Sequence, residues 1–506
     1  MSPEKGVFFY AKFNLSALLH LAGQLRDTLC SCDESKRPES GALNWAIVLS
    51  FEDGVEWIFR SPRRCHDISP ETTARLLESE VATMRYVKLN SSIPVPEVFD
   101  YSCTRSKTIG IPFILMSKAP GYALSHFPWN ACREGMVSSR KPLPCLKRAN
   151  KEKIMKQLGA ISSQLMNLRF DKIGSLFEED GEYRIKKCLS PALVWHQRDS
   201  LDDDVQRGPF QHTYDYYESQ LSAFLLHVKE LPLELHAFFA PIPELREFET
   251  LLSDRSAVNR WNDFVTVGSK IDGSKNRLDY CIAGHFLRQM IPLISQQPFS
   301  ISGDFKNEYP LHHPDLSTSN IFVDSDFNIT CVTDWAFSST VPISTLLVTP
   351  SLPHPRDEVD TTLVPTFRAI FTHHFLQGKD TKLNPEFWGS TRRAWLFSRL
   401  MTLDSLQDYR YFTELYMSVY KPEDDIDVPR LFKDVRKEEE FVELATTLAE
   451  DDRSADQIRR DEEEYFHNSR SGKEEAIARK LTMVAGLSEG FVADKKLWQW
   501  IEEAIA

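Results

Sequence analysis

The chain of 506 residues is 42% hydrophobic and 26% charged, the balance of a globular protein with enough apolar material for two or three lobes with real cores. Its formal net charge of -13 argues against nonspecific binding to a nucleic-acid backbone, which needs a basic face, although an acidic whole is compatible with a local basic groove; no nucleic-acid partner is expected. Nine cysteines without a C-x-x-C pair or a histidine at zinc spacing speak against a zinc site and fit a reducing compartment, here expected to be the cytoplasm.

In chain order, "KFNLSALLHLAGQLRD" carries an apolar run interrupted by Asn14, Ser16, His20 and Gln24. That pattern predicts an amphipathic helix packed on the fold, within an N-terminal helical extension over residues 1–39, and no integral membrane association. "NWAIVLSFEDGVEWIFR" then gives apolar runs at Trp45–Phe51 and Val55–Arg60 around Glu52-Asp53-Gly54. Asp-Gly tolerates the positive φ angles of a tight turn, so a β-hairpin is predicted. In "SPETTARLLESEVATMRYVK", Ser69 is placed to cap a helix and Pro70 to open it, while Leu77, Val81 and Met84 recur at helical spacing with Glu80 at the edge of their stripe. A short apolar run near Phe113–Met116, stopped by Pro120-Gly121, predicts a buried strand.

From Lys151 the pattern turns helical, and most of residues 210–299 read as helices separated by proline-containing breaks. The expected fold class is α+β, with a strand-rich lobe over 40–121 and a helical lobe over 122–429, divided in the proline-bearing stretch between Gly121 and Lys151. Beyond Pro429, alternating acids and bases predict a charged helical extension over 430–506, mostly solvated helix face.

Chemistry concentrates in "LHHPDLSTSNIFVDSDFNITCVTDW", from Leu311 to Trp335. Strands are predicted at Ile321–Val323 and Ile329–Thr333, turning near Ser325-Asp326-Phe327. Such a hairpin returns Asp334 to the neighbourhood of Asn320, and two oxygen donors from one hairpin suit Mg²⁺. Asp315, held in its loop by Pro314, can face the same spot, orient a hydroxyl and accept its proton. A calcium loop beginning Asp324-x-Asp326-x-Asn328 is excluded, since Ile329 stands where glycine is needed and Trp335 where the closing glutamate belongs. Turn formation accounts for Asp324, Asp326 and Asn328, but supplies no reason for His313, Asp315, Asn320 and Asp334 to stand at this spacing.

His313-Pro314-Asp315-Leu316-Ser317-Thr318-Ser319-Asn320 followed by Val332-Thr333-Asp334-Trp335 resembles the catalytic loop and metal-binding aspartate of the aminoglycoside phosphotransferase family, in the protein-kinase-like superfamily, and is similar to its fungal branch. The likeness runs in order over most of residues 40–345, with "LLESEVATM" as the lobe-bridging helix and "FILMSKAPG" as the strand entering the nucleotide hinge. It implies a protein-kinase-like two-lobe fold, with a small strand-rich N-lobe that binds nucleotide and a larger, mainly helical C-lobe. It further implies Asp315 as catalytic base, Asn320 and Asp334 as Mg²⁺ ligands, His313 as support for the catalytic loop, and backbone groups around Met116 to Lys118 as receivers of the adenine of ATP.

Three departures from that family accompany the resemblance. Arg60 stands where a third-strand lysine usually holds the nucleotide phosphates, with Glu80 as its candidate helix partner. Arginine keeps the charge and grips phosphate oxygens in bidentate fashion but alters reach and shape, the alternative being an ordinary ion pair. The glycine-rich phosphate loop is missing, and Pro314 and Trp335-Ala336 replace the arginine and Phe-Gly of conventional protein kinases. The resulting expectation is a Mg²⁺- and ATP-dependent O-phosphotransferase acting on a hydroxyl of a small molecule, whose pocket draws on residues near 190–300 and beyond 345. The acidic run Asp199–Asp204 offers charge for a cationic amine, or is simply a solvated loop. A kinase-like interaction module without catalysis is the alternative, favoured by Arg60, the lost glycine loop and the charged tail, and opposed by the intact Asp315, Asn320 and Asp334.

Overall fold

The computed structural model describes residues 12–63, 67–105, 108–130, 145–201, 205–296, 308–376, 386–423, 426–487, 498 and 500–503. Residues 202–204 of the acidic run and 131–144 of the expected lobe boundary lie outside them. The fold mixes helix and strand, with a strand-rich N-terminal sheet followed by a mainly helical part.

Helix α1 (Leu15–Arg26) starts at Asn14, whose side chain accepts the Ala17 N–H at 3.0 Å. Strands β1 (Cys30–Ser31), β2 (Glu39–Ser40), β3 (Asn44–Phe51), β4 (Glu56–Pro62), β5 (Val98–Ser102) and β6 (Phe113–Ser117) form one sheet in the order β1-β3-β4-β6-β5, with β2 also on β3. Side chains alternate across a strand, so Trp45, Leu49, Trp57 and Phe59 share one face and form a single buried cluster with Leu18 and Ala22 of α1. Burial of each large apolar side chain contributes about 1.5–3 kcal/mol. Arg60, one residue on from Phe59, is thereby turned to the opposite face. Interior strand β6 is buried on both faces: Phe113 and Leu115 join the α1 cluster, whereas Ile114 and Met116 pack with Leu77, Val81 and Met84 of α2 (Pro70–Asn90).

The Ser69 hydroxyl caps α2 by accepting the Thr72 N–H at 3.2 Å, as its sequence predicts. Ser69 in turn donates its own N–H to Asp199 at 2.8 Å, so the first residue of the acidic run is engaged in holding a helix start. Glu80 corrects an expectation: it is not at the edge of the apolar stripe but inside the buried face, 4% exposed.

Strand β7 (Tyr122–Ala123) and helix α3 (Arg148–Leu165) open the second part, followed by β8 (Arg169–Phe170) and the hairpin β9 (Ser175–Glu179) and β10 (Glu182–Lys186). Helices α4 (Pro191–Val194), α5 (Thr213–Glu230), α6 (Leu251–Thr266) and α7 (Ser274–Ile294) precede β11 (Tyr309–His312), β12 (Ile321–Val323), β13 (Ile329–Val332) and β14 (Ser339–Thr340). Then come α8 (Ile343–Leu346), α9 (Val364–Leu376), α10 (Glu386–Thr402) and α11 (Asp408–Tyr420). Leu221 and Phe224 of α5 interlock with Ile282 and Phe286 of α7 and with Phe412 of α11 in the core of this part.

The charged segment beyond Pro429 forms α12 (Val428–Val435), α13 (Glu439–Glu450), α14 (Ala455–Ser469) and α15 (Gly472–Leu487). It is far less solvated than its charge pattern predicts: Phe432, Phe441 and Leu448 enter the core with Phe286, and Ile477 and Leu481 pack on Trp261 and Phe264 of α6. Dense charge on the outer faces conceals apolar stripes at helical spacing. A cavity of about 870 Å³ lies beside this junction, lined by Phe239, Lys270, Asn276 and Leu448 and by none of the expected site residues.

Candidate active site

The hairpin of β12 and β13 is joined on its outer edge by β7, with Val323 opposite Tyr122 and Phe322 opposite Ala123, so the segment leaving β6, the expected nucleotide hinge, is knitted to the stretch that carries Asp315, Asn320 and Asp334. Gly121 makes that approach possible. It has φ 88°, and a Cβ there would collide with the Val323 carbonyl. At the closed end of the hairpin, Asp324 accepts the N–H groups of Asp326 and Asn328 at 2.9 and 2.8 Å and the Asn328 amide at 2.8 Å. These bonds, above all those from Asn328, hold the Asp324 carboxyl below its ordinary value, so these three residues do the turn-making expected of them.

At the open end, the Thr333 N–H donates to the Asn320 carbonyl at 2.9 Å, which brings Asn320 and Asp334 out side by side. Asp334 adopts φ 60°, a left-handed conformation that aspartate tolerates better than most residues. The loop before the hairpin is braced by His313, 2% exposed, whose Nε2 donates to the Thr333 carbonyl at 3.0 Å while Nδ1 accepts the Asp315 N–H at 3.2 Å. Its ring meets Trp335 edge to face, 4.6 Å between centroids. Burial pushes the pKa of His313 down, and a neutral ring with its hydrogen on Nε2 satisfies both partners.

Asn320 donates its amide to the Asp315 carboxylate at 2.9 Å and to the Asp315 carbonyl at 3.0 Å. With the nitrogen committed to Asp315, the amide oxygen is left to face elsewhere. The other Asp315 oxygen, Oδ1, is buried without a hydrogen bond, and Nε2 of His354 stands 4.0 Å from it.

Arg60 reaches this hairpin across the fold. One guanidinium nitrogen donates to Glu80, and Nη1 lies 3.4 Å from Asp334 Oδ1, linking β4, α2 and the hairpin through one side chain. Exposure rises from 4% at Glu80 through 11% at Arg60 to 39% at Asp334, so the inner pair is structural in setting and the outer carboxylate meets solvent. Burial opposes both inner charges. It pushes the Glu80 carboxyl up in spite of Arg60, whereas for Arg60 the two carboxylates outweigh it and favour the charged guanidinium.

The expected adenine-receiving stretch is partly committed to the fold. Met116 is 8% exposed and laddered between Ile58 and Val98. The Ser117 N–H donates to the Glu97 carbonyl at 2.8 Å, the Lys118 N–H to that of Glu56 at 3.4 Å, and the Lys118 ammonium pairs with the Glu56 carboxylate at 2.6 Å. Ala119, one residue on, has an N–H without a partner among the described residues. Arg60, Glu80 and Asp334 are thus in direct contact, as are Asp315 and Asn320, with His313 as their brace, while Met116 and Lys118 sit on the neighbouring strand and its exit. Sequence reasoning missed Ala119 and His354; the only signal for the latter was a histidine between two prolines in "LPHP".

Among the described residues there is no group of three or more His, Cys, Asp or Glu side chains suited to a metal. The expected Mg²⁺ ligands are one amide and one carboxylate; the Asn320 nitrogen is committed to Asp315, which leaves its oxygen and the Asp334 carboxylate as oxygen donors of the kind Mg²⁺ takes.

No family model matches the chain. It is 25% identical over 332 residues to a subtelomeric hrmA-associated cluster protein of Aspergillus fumigatus, covering 62% of this chain and 58% of the relative. It is 24% identical over 279 residues to the altered inheritance of mitochondria protein 9, mitochondrial, of Meyerozyma guilliermondii, covering 54% of this chain and 42% of the relative. The matched regions therefore span less than two thirds of the length of these relatives. Among solved structures it is similar to the macrolide 2'-phosphotransferase MphH from Brachybacterium faecium, with 13% identity and a TM-score of 0.35, covering 81% of this chain and 100% of that one. The sequence relatives are fungal, in keeping with the fungal branch of the aminoglycoside phosphotransferase family that the catalytic stretch resembles, and the structural neighbours are phosphotransferases and kinase-like enzymes.

Proposed function

We propose that this chain is an ATP-dependent phosphotransferase that moves the γ-phosphoryl group onto a hydroxyl of a small molecule. The observation that carries the reading is the Arg60–Asp334 contact at 3.4 Å, made across 274 positions, which brings a buried cation from the sheet to the hairpin end that also bears Asn320 and Asp315. In this reading the lobe over 40–121 receives nucleotide, with backbone groups at Met116 and Ala119 facing adenine, and the lobe over 122–429 receives the acceptor. Arg60 grips phosphate oxygens, held in place by Glu80.

The Asn320 amide oxygen and the Asp334 carboxylate would hold Mg²⁺. When bound, the ion would supply positive charge that offsets the charge of the nucleotide phosphates. Asp315 orients the acceptor hydroxyl and takes its proton as the new O–P bond forms and the old bridging bond breaks, the electron pair leaving with ADP. Catalysis then rests on positioning and preorganised charge.

Among the described residues no helix is long and apolar enough to cross a membrane. The mitochondrial names of several relatives make the mitochondrion the compartment to test against the expected cytoplasm.

The deciding experiment is Mg²⁺-dependent ATP binding and slow ATP hydrolysis by the purified chain beside Asp334→Ala and Asp315→Asn. Hydrolysis lost in both variants, with nucleotide binding kept in Asp315→Asn, supports the reading. Neither binding nor hydrolysis in the unaltered chain would replace it with a non-catalytic kinase-like interaction module, a reading favoured by the missing glycine-rich loop and the charged tail.

A further inference from the structure

Asp315 is only half satisfied. Its Oδ2 accepts the Asn320 amide at 2.9 Å, whereas Oδ1 is buried with no donor. A buried carboxylate oxygen without a partner is costly, and active sites often hold hydrogen bonds long in the free enzyme that tighten when substrates bind. His354 faces this oxygen, with Nε2 4.0 Å from Oδ1, beyond hydrogen-bond range.

The orientation of that imidazole is determined by its neighbours. Nδ1 accepts the Arg356 backbone N–H at 3.1 Å and faces the Arg356 Nε–H at 3.3 Å, while Nη2 of the same guanidinium lies 3.3 Å from Nε2. Two donors on Nδ1, one of them a fixed backbone N–H, outweigh one mobile donor on Nε2, so the ring hydrogen belongs on Nε2 and Arg356 Nη2 gives way as that nitrogen turns to Asp315. Burial and the Arg356 guanidinium both push the pKa of His354 down, which keeps the ring neutral. The segment is moored to the catalytic loop itself: the Thr318 N–H and hydroxyl both donate to the Pro353 carbonyl, at 2.9 and 3.3 Å, and the His354 N–H donates to Asp357 at 3.1 Å. A shift of about 1.2 Å closes the remaining gap to ordinary hydrogen-bond length.

We infer that His354 is a positioning residue whose Nε2–H closes onto Asp315 Oδ1, so that Asp315 is held from both oxygens and Oδ2 is presented to the acceptor hydroxyl. This rests on the reading of Asp315 as the base. Misplacement of a reacting group by an ångström can slow a reaction by about a hundredfold, so loss of the donor is expected to lower turnover by about 10- to 100-fold.

The test is steady-state Mg²⁺-ATP hydrolysis, with water as acceptor, by the full chain and by His354→Ala, His354→Gln and Asp315→Asn. A kcat for His354→Ala at least tenfold lower, with the KM for ATP within twofold, an unchanged melting temperature, and most of the rate recovered in His354→Gln, whose amide N–H replaces the donor, is the expected result. His354→Ala within twofold of the unaltered chain while Asp315→Asn is inactive overturns the inference and leaves the phosphotransferase reading standing. Equal losses in kcat and ATP affinity, or no recovery in the glutamine variant, also overturn it. Hydrolysis indifferent to Asp315→Asn removes the reading of the base, and the inference with it.

Discussion

Replacing Glu80 with alanine strips the Arg60 guanidinium of its more deeply buried counter-charge. Glu80 is 4% and Arg60 11% exposed, so the variant leaves a largely buried cation, a change that typically costs about 3–5 kcal/mol. Asp334 moderates the loss. It lies 3.4 Å from Arg60, where two charges attract by roughly 5 kcal/mol at an effective dielectric of about 20 before desolvation and screening, and its 39% exposure reduces that figure. Since this contact is already present, only its tightening can compensate, and the expected loss is about 3 kcal/mol. Removing both charges, as in Arg60→Met with Glu80→Leu, leaves no orphaned charge and is expected to cost less than Glu80→Ala alone. Urea unfolding followed by tryptophan fluorescence is the assay, since Trp45 and Trp57 lie in the core of the same sheet. A loss below about 1 kcal/mol for Glu80→Ala, or a double variant that loses the sum of the two single ones, would refute the account of a buried, mutually dependent pair.

Gly121→Ala is expected to cost about 2 kcal/mol or more, because the left-handed backbone at φ 88° and the collision with the Val323 carbonyl act together. Urea unfolding with hydrogen exchange at Tyr122 and Val323 measures it, and unaltered protection would contradict the close approach. His313→Ala removes the brace between Thr333 and Asp315 and is expected to lower ATP hydrolysis at least tenfold with ATP affinity kept within about threefold; an unaffected rate would show that the loop holds its shape without it. Asp408 is buried against His236 at 2.9 Å and the Tyr280 hydroxyl at 2.6 Å. Burial alone would push its carboxyl up, but these partners take it below its ordinary value. A carboxyl depressed by folding contributes stability that is fully present above its unfolded value of about 3.9 and is lost as pH falls through the lower folded value. The stability advantage over Asp408→Asn should therefore be constant near neutrality and shrink below about pH 4, and a gap that stays constant down to pH 2 would exclude the linkage.

Features set by neighbours a few residues apart were legible in the chain. Asp53-Gly54 turns the β3–β4 hairpin, Ser69 and Pro70 start α2, and Asp324 with Asn328 closes the β12–β13 turn, because each depends on backbone angles or hydrogen bonds within about four positions. The spacing of Asp315, Asn320 and Asp334 was legible for the same reason, since one loop and one hairpin bring them to the same end. Tertiary structure decided the rest. The tail beyond Pro429 looked solvated because its charges outnumber the apolar stripes, and only the packing of Phe441 with Phe286 and of Leu481 with Phe264 shows which face turns inward. Glu80 at the stripe's edge becomes a buried partner once β4 crosses α2, the Lys118 N–H is taken by Glu56 once β4 pairs with β6, and His354 meets Asp315 only through the mooring of Pro353 on Thr318. A local pattern specifies which way a side chain points from its own element. What it meets there depends on the crossing of distant elements, which no run of neighbouring residues encodes.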